Sequence, residues 1–311
     1  MALTNLLHHR LWSDSLDTQV VAVNLVDREL LRSRTLVGKE MDGVASLAKG
    51  VRPFYYVKAA DAHVLERLLA RLGSSSGQLL RVSVAVFPPD LSALPIPRKK
   101  EVFFRSLLPL VVFHNSIIKA QREYLETLDK GGTIPTEKER RFLAAMGQYY
   151  RLGGGVNLAD TVRVLLERVD QIPLALALSQ AAIESGWGSS RFCLQGNNLF
   201  GQRIWGSNAN GLAPGGIADA KFRLLVFPTI GGSIGSYMRN LNTNPVYASF
   251  RKERRRLRLQ GDPLDARILA TTLDKYSTRG QAYIDDVLQV MRQNQLNRFN
   301  GAFLAPVLLP L

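Results

Sequence analysis

The period of the apolar residues changes near residue 90. Before it, short runs rich in Val, Tyr and Phe predict strands: VVAVNLV (20–26), RPFYYVKA (52–59) and LLRVSVAVF (79–87). Between the last two, ADAHVLERLLARLG (60–73) repeats apolar residues at helical spacing and stops at Gly73. The SSSG at 74–77 reads as a loop, and 1–90 as a small α+β module. FPPDLSALPIPRKK (87–100) carries four prolines and reads as a linker. Beyond it the chain turns helical. Residues 101–131 predict an amphipathic helix ending at Gly131, and 136–151 a second, followed by the breaker GGG at 153–155. Asn157 as an N-cap, with Asp160 three residues on, opens a third helix with Leu158, Val162, Leu165, Leu166 and Val169 on one face. Pro173 suits the first turn of the next helix. No internal repeat breaks 91–311, which reads as one mainly helical unit.

That next helix poses the chemical question. Its apolar run LALALSQAAI ends on Glu184, and Gly186 and Gly188 follow at once. The negative pole of the helix and the apolar surroundings both disfavour a charged carboxylate there, so both raise its pKa. An acid still protonated near neutral pH can hand a proton to a leaving oxygen, as glycoside hydrolysis requires. The competing reading is a structural glutamate that accepts N–H bonds from the glycine-rich turn. Downstream, QGNNLFGQ (195–202) offers Asn197, Asn198 and Phe200, and Trp187 and Trp205 flank it. Amides match sugar hydroxyls and flat aromatics match the apolar faces of sugar rings. Trp187 as a core plug and the two asparagines as turn formers are the alternatives.

Charge narrows the partners. The net charge is +14, with 11 basic and 9 acidic residues in 1–90 against 29 and 17 in 91–311. The helical part therefore faces something anionic: nucleic acid, lipid headgroups or a wall polymer. RKERRRLR (251–258) is the densest run, read either as a solvated helix face or as a phosphate-binding patch. Interleaved aromatics and a nucleic-acid motif are missing, so no specific nucleic-acid partner is expected. The single cysteine, Cys193, excludes an intrachain disulfide. No zinc-like His/Cys spacing, P-loop or dinucleotide pattern occurs, and His8, His9, His63 and His114 read as structural or surface residues, so no metal or cofactor is expected. No run approaches the ~18 apolar residues that span a bilayer, and MALTNLLHHRLWSDSLDTQ lacks the pattern of an export signal.

Taken together, AAIESGWGSSRF…GNNLFG resembles the glucosaminidase signature of glycoside hydrolase family 73. PRKKEVFFRSLLPLV, LLERVDQIP and SYMRNLNTNPVYASFR resemble the Bax subgroup of bacterial proteins, unrelated to the apoptosis regulator of that name. The resemblance runs from about Pro97 to Phe299. It implies a lysozyme-like helical domain over 91–311 with a small β-hairpin lobe, cleavage of β-1,4 bonds after N-acetylglucosamine in peptidoglycan glycan strands, and Glu184 as the acid. The implied substrate lies in the cell envelope, periplasmic or extracellular. The hairpin stretch 203–227 holds one acid, Asp219, the candidate general base, which does not align with the family's usual glutamate. Attack by the substrate's own N-acetyl oxygen is the route that needs no second carboxylate. DKYSTRGQAYIDD (274–286) resembles the family's tyrosine-bearing segment. Tyr276 and Tyr283, seven apart, would share a face on a helix. A lytic transglycosylase and a non-catalytic glycan-binding scaffold are the alternative readings.

Overall fold

Strand β1 (Thr18–Val23) pairs antiparallel with β2 (Phe54–Ala59), so that Val20 faces Val57. The computed structural model describes residues 18–23, 54–72, 77–131, 135–153, 158–205, 211–214 and 221–305. Helix α1 (Ala62–Arg71) starts where the Asp61 carboxylate accepts the Val64 N–H at 2.7 Å, and it buries Leu65, Leu68 and Leu69. It crosses between β2 and β4 (Val82–Val84), which are parallel. The run expected as one strand over 79–87 is divided. Its beginning, in β3 (Gln78–Leu79), pairs instead with β7 (Phe303–Leu304) near the other end of the chain.

The proline-rich segment 87–100 is not a linker. Phe87, Leu91 and Leu94 are buried, Leu91–Ala93 forms a 3₁₀ turn, and α2 (Ile96–Gly131) has already begun at Ile96. Pro97 falls in the first turn of α2, where a missing N–H costs nothing. One apolar core runs from Phe54 to Leu304, so the packing shows no break at the expected 90/91 division. Helix α2 also corrects the expectation that no run is long and apolar enough to span a bilayer. An 18-residue window in it is, but 78% of that window is buried inside the protein. It is the central core helix.

Around α2 pack α3 (Glu137–Tyr149), opened by a Thr136–Glu139 capping box, and α4 (Leu158–Arg168), which buries Val162 and Leu165. The expected cap Asn157 lies outside the described residues. Helix α5 (Leu174–Ser185) is buried along nearly its whole length, packed against α2, against α9 (Ala266–Ala270) and against α10 (Gln281–Gln293). Short α6 (Arg191–Gly196) leads into the hairpin β5 (Arg203–Trp205) and β6 (Phe222–Leu224); α7 (Ile230–Thr243) and α8 (Ala248–Gln260) follow. The chain is mainly α with a small β-hairpin lobe and an α+β portion before α2.

Helix α8 carries the basic run 251–258, and much of that run points inward. Arg251 and Arg254 are buried, and Arg258 pairs with buried Asp170 at 2.8 Å. Lys252, Arg255 and Arg256 remain outside, with Arg256 held by Glu253. A phosphate-binding patch therefore has about half the cations expected of it, because the others hold the fold together. Of the histidines, His114 is buried and burial pushes its pKa down to about 4. His8 and His9 lie outside the described residues.

Candidate functional site

The turn that ends α5 is built by its small residues. Gly186, Trp187 and Gly188 all have left-handed backbones, with φ of 56°, 60° and 79°. Ser185 steadies the turn by accepting the Gly188 N–H at 2.9 Å. A side chain at Gly188 would meet Phe87 and Leu91 at 3.0 Å, so the turn sits directly on the segment expected as a linker. Trp187, a non-glycine residue in this strained region, is held by edge-on packing on Phe103 and Phe104, with the Lys100 ammonium 4.5 Å from its ring centre. It plugs the seam between α5 and α2. The sugar-platform reading of Trp187 gives way to the core-plug one.

Glu184, on the last turn of α5, is half-buried and its pKa is raised. Burial is the largest cause; a hydrogen bond donated by Tyr283 and the charges of Arg203 and Arg279 oppose it. One turn earlier on the same face, Gln180 links the phenols. Its carboxamide oxygen accepts from Tyr237 at 2.6 Å and its nitrogen donates to Tyr283 at 3.0 Å, leaving the Tyr283 hydroxyl hydrogen for Glu184. Tyr276 stacks on Tyr283 with ring centres 5.4 Å apart, and Tyr247 lies against Tyr276 at 5.9 Å. All four phenols are held above their ordinary pKa, by burial foremost and by the Glu184 charge among the further causes. They stay neutral hydroxyls around one carboxyl group. On the opposite side Gly201, at φ +64°, lets the chain pass the acid. An added Cβ there would stand 3.4 Å from Glu184 Oε2.

Tyr276 and Tyr283 do meet, as expected, but not by sharing a helix face. Tyr276 belongs to a 3₁₀ turn (Asp274–Tyr276) that precedes α10. The amides and Phe200 are placed differently from expectation. Asn197 is the left-handed cap of α6, and its side chain donates to the Phe227 carbonyl at 2.8 Å. Asn198 is buried, with its nitrogen on the carbonyls of Gln202 and Leu225 and its oxygen accepting the N–H of Gln202. Phe200 is buried, stacked 3.9 Å from Tyr237. The asparagines shape the loop, since backbone groups already use the bonds that a sugar would need, and Phe200 supports it from the core. Trp205 is 67% exposed on the hairpin, and Asp219 lies outside the described residues. Among the described residues no group of three metal-ligating side chains occurs.

The glucosaminidase family model, described as mannosyl-glycoprotein endo-beta-N-acetylglucosaminidase, matches residues 159–296, the stretch that contains every residue of this cluster. Protein bax of Escherichia coli (strain K12) is 34% identical over 211 residues, covering 67% of this chain and 74% of the relative. The chain belongs to the Bax family of glucosaminidase-domain proteins. No solved structure matches it significantly.

In this Bax-family chain the sequence reading missed Gln180, Tyr237, Tyr247, Arg203 and Arg279. A signal for Gln180 was present, as a polar residue four before Glu184 in an otherwise apolar run. Nothing local marks the others, which come from separate elements. Cys193, on α6, is buried and burial pushes its thiol up to about 12. It is expected to resist thiol reagents in the native protein and to react fully in denaturant. Rapid native labelling would show an opening of α6 that this packing does not allow.

Proposed function

We propose that the chain is an endo-β-N-acetylglucosaminidase of glycoside hydrolase family 73, acting in the cell envelope on the β-1,4 bonds after N-acetylglucosamine in peptidoglycan. The observation that carries this reading is the Glu184 carboxyl: raised in pKa by burial, hydrogen-bonded by Tyr283 and ringed by neutral phenols. Glu184 protonates the glycosidic oxygen while positive charge grows at the anomeric carbon. The phenols offer donors and acceptors to the N-acetyl group and to an attacking water. Incubating sacculi with the protein and with Glu184→Gln, then weighing the soluble fragments, tests it. Hydrated fragments with N-acetylglucosamine at the reducing end are expected from the wild type alone. Sacculus binding without fragments would leave a glycan-binding scaffold instead.

One observation favours a second route to glycan cleavage. No carboxylate among the described residues adds its repulsion to Glu184. A single acid, with the substrate's own N-acetyl oxygen attacking the anomeric carbon, suits hydrolysis and lytic transglycosylation alike. A transglycosylase leaves an anhydro sugar, lighter by one water, so the same spectrum separates them. Asp219 as base is the remaining hydrolytic option. Asp219→Asn abolishes hydrolysis under that option and spares it under substrate assistance.

The Tyr283 hydroxyl favours the ionised form of Glu184, so its removal raises the Glu184 pKa further. Activity that needs protonated Glu184 falls as pH rises through that pKa. Tyr283→Phe is therefore expected to move the alkaline limb of the pH–rate profile to higher pH. A limb that stays still or moves down would remove Tyr283 from this role.

A further inference from the structure

The β5–β6 hairpin presents a second chemical face beside the acid. In its register Trp205 stands opposite Phe222, and Arg203, two residues before Trp205, shares that face. The side chains confirm the alignment: the Arg203 guanidinium lies 4.4 Å from the Phe222 ring centre, and the Trp205 and Phe222 rings are 5.5 Å apart. Arg223, at the neighbouring position on the other face, is used structurally, donating to the Gly211 carbonyl at 2.9 Å.

This face adjoins the acid. Gly201 packs on Glu184 Oε2 two residues before Arg203, and the Arg203 charge acts on Glu184. The loop is pinned there, because Gln202 donates its backbone N–H to Asn198 and its side chain to Ser236. Of the two cations acting on Glu184, Arg279 is already held by Asp286 at 2.7 Å. Arg203 is exposed and has no ion-pair partner among the described residues. A guanidinium over an aromatic ring, exposed and without an ion-pair partner among the described residues, can take a carboxylate in two parallel hydrogen bonds. An exposed indole beside it is a platform for a sugar ring.

We propose that Arg203, Phe222 and Trp205 form a carboxylate-reading sugar subsite, which selects peptide-free strands, whose N-acetylmuramic acid lactyl carboxylates are not amidated by stem peptides, over neutral N-acetylglucosamine polymers. The proposal rests on the glycosidase reading of Glu184 and names the substrate feature that this site would recognise. The aromatic pair holds the ring of an acidic sugar while Arg203 neutralises its carboxylate, placing the adjoining glycosidic bond at Glu184.

The test compares peptide-free glycan strands with the same strands after their lactyl carboxylates have been reduced to alcohols. Wild type, Arg203→Gln and Arg203→Lys are assayed for kcat and KM at a pH on the activity plateau of each. Binding of both glycans is measured in the Glu184→Gln background, with and without Arg203→Gln. A hydrogen-bonded charge pair predicts a loss of ~10–100-fold in kcat/KM on native strands for Arg203→Gln, mostly in KM. On reduced strands the change is within about twofold, and Arg203→Lys recovers part of the loss. The binding constants show the same split. Equal losses on both glycans would overturn the subsite and leave Arg203 acting only on Glu184. If the wild type cleaves neither these glycans nor intact sacculi, the glycosidase reading fails by itself. The binding arm still decides the subsite: preference for native strands that vanishes with Arg203 supports it, and equal binding overturns it.

Discussion

Arg254→Met is expected to destabilise the protein by about 3–5 kcal/mol, the range seen when one partner of a buried ionic network is removed. The last carbonyls of α4 have no partner within their own helix. Arg254, 1% exposed, reaches across from α8 and donates to the carbonyls of Glu167 and Arg168 at 3.2 Å and of Asp170 at 3.0 Å. It also donates to Asn242 Oδ1 at 2.7 Å and lies 3.8 Å from the Asp170 carboxylate. Methionine fills similar space and offers no donor, so a group of carbonyls and a carboxylate lose their partner in a region sealed from water. The loss is read from the urea midpoint. Arg256→Met, on the exposed side of the same helix, is the control and should shift stability by no more than ~0.5 kcal/mol. A cost below ~1 kcal/mol for Arg254→Met would mean that Arg122 and Arg258 satisfy the turn unaided. The network is also acid-sensitive. Burial raises the Asp170 pKa, but Arg254, Arg258 and Arg122 hold it below the ordinary value. Its contribution is therefore complete above ~3.9, the unfolded value, and is lost as pH falls through the depressed folded pKa.

This arginine illustrates where the sequence was legible and where it was not. The helix around 251–258 follows from composition. Its inward face, Phe250, Arg251, Arg254 and Leu257, also has helical spacing. What composition hides is that two core positions are arginines bonded to backbone carbonyls, Arg251 to those of nearby Leu241 and Asn244 and Arg254 to those of Glu167 and Arg168, about 85 residues away, pairings with no sequence signature. The same limit governs the asparagines. An amide serves a sugar hydroxyl and a backbone carbonyl equally well, so only the fold shows that Asn197 and Asn198 are committed to their own loop. The prolines of 87–100 mark turns as readily in a packed segment as in a linker, and Phe87, Leu91 and Leu94 decide for packing. Glu184, by contrast, was legible because its signals are local: an apolar helix, a carboxylate, then glycines able to take left-handed geometry. The tyrosines around it are assembled from α7, two 3₁₀ turns and α10. Of these only Tyr276 and Tyr283 stand close enough in sequence to be read as a pair.

Glu184→Gln is expected to lower kcat by ~10²–10⁴-fold, the usual contribution of a positioned general acid, while leaving glycan binding in place. Glutamine keeps the shape and accepts from Tyr283 but has no proton to give at any accessible pH. Residual activity within tenfold of wild type would show that another group protonates the leaving oxygen. Stability supplies an independent check, because it does not depend on the substrate. Burial raises the folded-state pKa of Glu184 above its unfolded value. Below the unfolded value, ~4.3, the carboxyl is protonated in both states and burial carries no charge penalty. As pH rises through the folded pKa, the folded state must hold a charge that the unfolded chain solvates better, and stability falls. The neutral amide removes that penalty. Glu184→Gln should therefore melt higher than the wild type at pH 7–8, with the gap closing as pH drops towards 4. A variant that loses activity and gains stability only at the higher pH identifies a carboxyl held in an unfavourable place for its chemistry. One that loses both at every pH identifies a structural glutamate, and the acid must then be sought elsewhere.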